Sequence, residues 1–234
     1  MGDSSGVLYI VSTPIGNLGD ITFRAVDTLK SVDLIACEDT RQTVKLIRHY
    51  QIEKPLISLH EHNERQKTQG LIEQLKSGKS VALVSDGGTP LVSDPGWFLV
   101  HRALEEKMRV SWIPGASALI GGLVLSGLPA ERFIFEGFLP VKSAARKRRL
   151  EALKEEERTI IFYESPHRVI KLLEEIKEVF GDISLSLARE LTKMFEEVRR
   201  ERASELLSHF EKHPPKGEFV VILNNRQSAD SAHR

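Results

Sequence analysis

Short apolar runs alternate with longer amphipathic segments along almost the whole chain. The runs are rich in Val, Ile and Leu and are bounded by turn residues or charges, which is typical of buried strands. The predicted strands cover residues 7–12, 33–37, 56–60, 80–85, 109–113, 133–138, 159–163, 183–188 and 219–223. The helix patterns between them cover 22–32, 41–50, 63–78, 96–107, 117–126, 143–156, 167–180 and 204–213. This β-α-β-α order predicts an α/β fold built on mostly parallel sheet with helices on its faces.

The chain is long enough for one large domain or two small ones, since it has 234 residues. A Pro-Gly pair at 114–115 separates two similar series of strands and helices. We therefore predict an N-terminal α/β domain over residues 1–114 and a C-terminal α/β domain over residues 115–223. The remaining residues, 224–234, are polar and are predicted to form a disordered tail.

Composition narrows the class of protein. Apolar residues make up 41% of the chain and charged residues 28%, as in globular domains rather than disordered chains. We expect neither a membrane span nor a secretion signal, because no long uninterrupted apolar run occurs. The single cysteine, Cys37, excludes an internal disulfide and suits the cytoplasm. The 33 basic and 33 acidic side chains cancel, which argues against a generic nucleic-acid-coating protein.

The loops that follow predicted strands are the candidate binding sites, because ligands of open parallel sheets lie beyond the carboxyl ends of the strands. The loop at 85–96, SDGGTPLVSDPG, holds three glycines, two prolines and two aspartates. It is longer and more constrained than a plain connection. Its acids and free amides favour a ligand that carries an amine or ribose hydroxyls over a phosphate.

Three further loops are ambiguous from their residues alone. The loop at 13–20, TPIGNLGD, lacks both the P-loop lysine and the complete dinucleotide glycine pattern, so an ordinary turn is favoured there. The stretch 113–118, IPGASA, is not a nucleophile elbow, because position 119 is Leu. The cluster 163–168, YESPHR, is either functional or a capped helix start.

Taken together, the motifs resemble the tetrapyrrole methylase-like superfamily. The similarity is to its branch of bacterial small-subunit ribosomal RNA 2′-O-methyltransferases, which act on a cytidine. The motifs run in order from Ser12 to Lys193, and one departure occurs at Gly87, where the family usually has Ala. The motifs are STPIGNLGDIT, CEDTR, SDGGTPLVSDPG, PGASA, YESPHR and ARELTK.

The resemblance implies a class III methyltransferase. Its expected form is a homodimer of two-domain α/β subunits with S-adenosylmethionine in the cleft between the domains. Its expected substrate is 16S rRNA within the assembled small ribosomal subunit, and no metal is expected. The resemblance assigns these residues to the cofactor: Pro14, Gly16, Asp86, Gly88, Thr89, Ser117, Ala118, Tyr163 and Ala188.

Alignment of the ribose hydroxyl with the methyl group supplies much of the barrier reduction for such a transfer. A general base that takes the hydroxyl proton adds about 10²–10⁴-fold. The sequence does not choose among the candidates Glu38, Asp39, Glu61, Glu164, Glu190 and Lys193. The predicted catalytic set is Glu38, Asp39, Arg41 and Glu190. Two alternatives stay open: an acidic helix start at 38–41 and an internal salt-bridge cluster at 189–193.

A basic segment at 142–149, KSAARKRR, is the predicted RNA contact. Its cations are Lys142, Arg146, Lys147, Arg148 and Arg149. The alternative is a solvated helix face, which is what charge runs usually are. No aromatic platform for bases is apparent, so recognition by shape is expected. The histidines of HEHN at 60–63 do not make a convincing metal site.

Three other functions compete with RNA methylation. A relative in the same superfamily would methylate a porphyrinoid or a protein side chain, and the basic segment would serve an anionic porphyrinoid equally well. A noncatalytic sensor would bind S-adenosylmethionine without turnover. A structural RNA-binding module would bind no cofactor.

Overall fold

The computed structural model describes residues 6–225 and consists of two compact units, one ending at Ser117 and the next beginning at Ala118. The predicted boundary, after residue 114, lies three residues before this one. Most of the predicted tail, 226–234, lies outside the described residues. Asn224 and Asn225 do not belong to a tail: the Asn224 amide donates to Thr159 Oγ1 (3.1 Å) and the Asn225 amide donates to the Lys154 carbonyl (2.8 Å). The polar composition of this segment predicts disorder and does not indicate that these two side chains bond to the folded chain.

The first unit is built on a five-stranded parallel sheet with the order β3-β2-β4-β1-β5. The strands are β1 (Val7–Val11), β2 (Leu34–Cys37), β3 (Leu56–Ser58), β4 (Val81–Val84) and β5 (Arg109–Ile113). The helices are α1 (Phe23–Ser31), α2 (Thr40–His49), α3 (Glu64–Lys76) and α4 (Trp97–Glu105), with a short 3-10 turn at Leu18–Asp20. Every element predicted for this part of the sequence is present, and the structure adds the 3-10 turn.

Helices cover both faces of this sheet, because alternate residues of each strand point to opposite sides. Leu8 of β1 packs in one core with α3 and α4, whereas Val11 packs in the other with α1 and α2. All five strands run the same way, so their carboxyl ends meet at a single edge. The loops that follow β1, β2 and β4 therefore lie side by side.

The second unit is also α/β, but its sheet is mainly antiparallel. Its order is β6-β7-β10-β8-β9, and only β6 and β7 are parallel neighbours. The strands are β6 (Phe133–Phe138), β7 (Thr159–Glu164), β8 (Ser184–Arg189), β9 (Glu197–Arg202) and β10 (Phe219–Leu223). The helices are α5 (Ala118–Ser126), α6 (Ser143–Ala152), α7 (Val169–Phe180) and α8 (Ala203–Lys212). The prediction of mostly parallel sheet is wrong here, because β10 returns between β7 and β8 in the opposite direction.

Strand β9 is absent from the predicted strands because its sequence, EVRRER, contains a single apolar residue. It is an edge strand paired with β8. Ion pairs along the strand compensate its charges, with Arg199 bonding Glu197 (2.9 Å) and Glu201 (2.8 Å). A period-2 search for buried apolar residues does not detect a strand of this kind.

Candidate functional site

The loops after β1 and β4 are joined to each other at the carboxyl edge of the first sheet. Thr13 and Gly88 form a two-way backbone bridge, with N···O distances of 2.8 and 3.0 Å. The hydroxyls of Ser12 and Thr89 lie 2.8 Å apart. The structure thus brings Gly88 and Thr89 together with the first loop, in which Pro14 is buried and Gly16 is exposed. Ser12, directly after β1, is a contact that the sequence did not single out.

Gly87, the departure from the family pattern, lies against the same first loop. A Cβ built on it would be 3.2 Å from the Pro14 carbonyl oxygen and 3.5 Å from the Ile15 Cα. These contacts are tight but require only a small shift. The site therefore accommodates either Gly or Ala at this position.

Carboxyl groups from neighbouring strands converge at the same edge. The backbone N–H of Asp39, after β2, donates to Asp86 Oδ1, after β4, over 3.1 Å. Burial raises the pKa of Glu38, and the negative charge of Asp86 raises it further, although a hydrogen bond from the Asp86 backbone N–H lowers it. Burial likewise raises the pKa of Asp86. Asp94 has a pKa raised to about 6, by burial first and also by Glu38 and Asp86. The edge thus concentrates negative charge, which complements a cationic ligand.

Asp39 and Arg41 form an ion pair at the start of α2. Asp39 caps the helix by accepting from the Arg41 backbone N–H (2.8 Å), and its Oδ2 receives the guanidinium at 2.6 Å. The hydrogen bond from the Arg41 side chain lowers the pKa of Asp39 to about 2. Asp39 is therefore a weak proton acceptor. The acidic helix start, which the sequence left as an alternative, accounts for this pair.

Tyr163 of YESPHR contacts the start of α5, directly after PGASA. The Tyr163 hydroxyl accepts from the Leu119 backbone N–H (2.9 Å), and the ring meets Phe135 edge-on at 4.8 Å. Ser117 is the last residue of the first unit, and Ala118 begins α5. Ala188 is fully buried in β8.

Glu190 and Lys193 belong to an ion-pair cluster in the loop after β8. Lys193 Nζ contacts Glu190 Oε1 at 2.9 Å and Glu218 Oε2 at 2.8 Å. Although burial opposes both shifts, these bonds lower the pKa of Glu190 and raise that of Lys193. Neither group is a good proton acceptor. Burial raises the pKa of Glu164, but only 1% of this residue is exposed and it pairs with Arg168 at 3.1 Å, so a substrate does not reach it.

Most of the basic segment is occupied by internal ion pairs. Arg146 is 2% exposed, bonds Glu175 through two nitrogens (2.5 and 2.9 Å) and donates to the Val141 carbonyl (3.1 Å). Lys147 pairs with Glu178 (2.5 Å) and Arg149 pairs with Glu136 (2.6 Å). The predicted RNA contact is wrong for Arg146, because its position on α6 turns it into the core. Lys142 and Arg148 are exposed and form no ion pair within residues 6–225.

Histidines 60 and 62 show no metal arrangement. The Asn63 amide lies 3.0 Å from His60 Nε2, and Asn63 Oδ1 accepts from the His60 backbone N–H (2.9 Å). Among residues 6–225, no group of three or more His, Cys, Asp or Glu side chains is arranged to hold a metal ion. Within the same range, no helix has the length and apolar character needed to cross a membrane.

Asp94→Asn tests the electrostatics of this edge. The usual pKa of an Asp is near 3.8 and that of Asp94 is about 6, so its stabilising contribution is complete below pH 4 and is lost as the pH rises through 6. The Asn variant lacks this loss. Relative to the wild type, we expect it to gain about 1 kcal/mol in free energy of unfolding between pH 4 and pH 7.5, a value reduced for partial exposure. Urea unfolding at both pH values measures it, and a pH-independent difference would contradict the assignment.

Comparison with known proteins gives concordant matches. A family model described as Tetrapyrrole (Corrin/Porphyrin) Methylases matches residues 7–207. A Haemophilus influenzae protein named ribosomal RNA small subunit methyltransferase I is 49% identical over 234 residues, covering 99% of this chain and 83% of its own. A Thermotoga maritima protein of the same name is 48% identical over 222 residues, covering 95% of this chain and all of its own.

Solved structures share the fold at low sequence identity. A diphthine synthase superposes with a TM-score of 0.75 at 17% identity, covering 94% of this chain and 90% of its own. A Thermus thermophilus uroporphyrin-III-C-methyltransferase superposes with a TM-score of 0.66 at 21% identity, covering 93% and 94%. At such identities these similarities establish the fold alone.

Proposed function

Because this chain belongs to the tetrapyrrole (corrin/porphyrin) methylase family and, within it, to the ribosomal RNA small subunit methyltransferase I proteins, we propose that it 2′-O-methylates a cytidine of 16S rRNA. S-adenosylmethionine is the methyl donor of this family. The observation that carries the substrate class is 48–51% identity to proteins of that name over at least 93% of this chain. The cytidine and the 2′-oxygen rest on the motif resemblance.

The carboxyl edge of the first sheet fits S-adenosylmethionine by the chemistry of its groups. The cofactor has a sulfonium, an ammonium and a carboxylate, and when bound it supplies a methyl group activated by the sulfonium. Burial raises the pKa values of Glu38, Asp86 and Asp94, so this edge favours an added positive charge. Asp86 and Thr89, together with the backbone of Gly88, would hold the cofactor.

Glu38 is the proposed base. It is half-buried, burial raises its pKa, and it forms no ion pair within the described part of the chain. Asp39, Glu190 and Glu164 are each engaged by a cation. Glu38 would accept the proton of the 2′-hydroxyl, while the fixed loops align that oxygen for in-line attack. We further propose that the protein is a homodimer. It would act on the assembled small ribosomal subunit in the cytoplasm.

Asp86→Ala is expected to weaken S-adenosylmethionine binding at least about tenfold, since a charged group contributes about 1.5–3 kcal/mol to a hydrogen bond. Asp86→Asn is the matched variant, because it keeps the oxygen that accepts from the Asp39 N–H. Calorimetric titration with the cofactor measures both. Equal affinity of Asp86→Ala and wild type would remove this loop from the cofactor site.

Methyl transfer from labelled S-adenosylmethionine tests the proposed function. Small ribosomal subunits that lack the modification and a uroporphyrinogen are offered in parallel. We expect label in the RNA fraction of the subunits only. Label in the porphyrinoid or in ribosomal protein would overturn the RNA substrate, and cofactor binding without any label would favour a sensor.

A further inference from the structure

An exposed aromatic pair lies at the start of α4, directly after the loop that holds Asp86, Gly88 and Thr89. Trp97 is the first residue of that helix and is 62% exposed. Its ring stacks on that of His101, one turn later, with centroids 4.8 Å apart and planes 8° from parallel. An imidazole thus supports the indole while most of the Trp97 surface remains in solvent.

The position of Trp97 is fixed by the backbone before it. Gly96 has φ +124°, and a Cβ there would lie 2.6 Å from Leu83 Cδ2, so only glycine fits. Glu64, the first residue of α3, caps α4 by accepting from the Phe98 and Leu99 backbone N–H groups (2.6 and 3.3 Å). The first turns of α3 and α4 are therefore joined.

This joint brings a positive charge over the ring of Phe98, the residue after Trp97, and the two rings have centroids 6.5 Å apart. Arg65, next to the capping Glu64, places its guanidinium carbon 5.6 Å from the centre of the Phe98 ring. Both helices follow strands of the parallel sheet, so their first turns lie at its carboxyl edge, where the cofactor loops also lie. A flat ring and an exposed guanidinium at this edge match the two parts of a nucleotide, a base and a phosphate.

We propose that Trp97 is a stacking platform for an unpaired base of the RNA substrate, with Arg65 contacting the adjoining phosphate. This inference rests on the proposed function and adds the means of holding the nucleotide strand. Leu104 lies two turns further along the same face of α4 and is also exposed (58%). It is far enough from the sheet edge to serve as the matched control.

The test compares Trp97→Ala, Trp97→Phe, Arg65→Ala and Leu104→Ala in the full chain. The probes are unmethylated small ribosomal subunits for affinity and S-adenosylmethionine for cofactor binding. We expect Trp97→Ala to weaken subunit binding at least about tenfold, Trp97→Phe to stay within about threefold, and Leu104→Ala within about twofold. Arg65→Ala should weaken binding and flatten its salt dependence. Cofactor affinity should not change in any of them.

Two results would overturn the platform. Subunit binding by Trp97→Ala at the wild-type level would exclude it. Equal losses in Trp97→Ala and Leu104→Ala, accompanied by a fall in sedimentation mass, would instead assign this face to a second copy of the chain. Wild-type methyl transfer to the subunits is measured alongside: its absence refutes the proposed function, whereas its presence with an unimpaired Trp97→Ala refutes the platform alone.

Discussion

Glu38→Gln is expected to lower kcat for methyl transfer to small ribosomal subunits by about 10²–10⁴-fold, the contribution of a general base. The substitution keeps the size of the side chain and removes its capacity to accept the proton. Burial raises the pKa of Glu38, so in the wild type kcat should rise with pH as this group ionises. The variant should lose that rise. Single-turnover rates over a pH series measure both effects.

Asp39→Asn is the matched control for that prediction. The neighbouring Asp39 has a pKa of about 2 because Arg41 bonds it, and Asn also caps helices well. We expect its kcat to remain within about tenfold of the wild type. Equal losses in the two variants, or a loss below tenfold in Glu38→Gln, would contradict the assignment of the base.

Arg146→Ala is expected to lower the free energy of unfolding by about 3–5 kcal/mol, because it leaves Glu175 charged and buried. Arg148→Ala is the control on the same helix; Arg148 is exposed, so its stability should change by less than about 0.5 kcal/mol. Replacing both partners, as Arg146→Met with Glu175→Leu, should recover most of the loss. Denaturant unfolding measures all three.

If Arg146 contributed to RNA binding and not to stability, the predicted RNA contact of the segment 142–149 would include it after all. In that case Arg146→Ala would bind RNA more weakly and unfold at the wild-type denaturant concentration. The buried pair with Glu175 would then be absent in solution. The salt dependence of subunit binding provides the second readout.

The first unit follows from the sequence almost element by element. Strands such as VALV at 81–84 are apolar throughout because helices cover both faces of a parallel sheet. The second unit is less readable. Local patterns carry no information on strand direction, so the antiparallel return of β10 required the structure. Strand β9 is stabilised by pairing and ion pairs, which apolar periodicity does not report.

The candidate site is likewise readable only in part. The loop 85–96 stood out because its glycines, prolines and aspartates are concentrated in twelve residues. Which carboxyl group is engaged by a cation depends on side-chain geometry, and this separates Glu38 from Asp39 and Glu190. Side-chain geometry also separates the cations of α6. Arg146 faces the interior and is buried, whereas Arg148, two residues later, is exposed. The stacking of Trp97 on His101 depends on where α4 begins, and the amino-acid composition of this segment does not predict that residue.

Nucleoside mass spectrometry identifies the nucleoside that receives the methyl group. Unmethylated small ribosomal subunits are incubated with the protein and S-adenosylmethionine, and the 16S rRNA is then digested to nucleosides. We predict 2′-O-methylcytidine, up to one per subunit, and none with Glu38→Gln on the same timescale. A methyl group on a base, on another ribose or on ribosomal protein would contradict it.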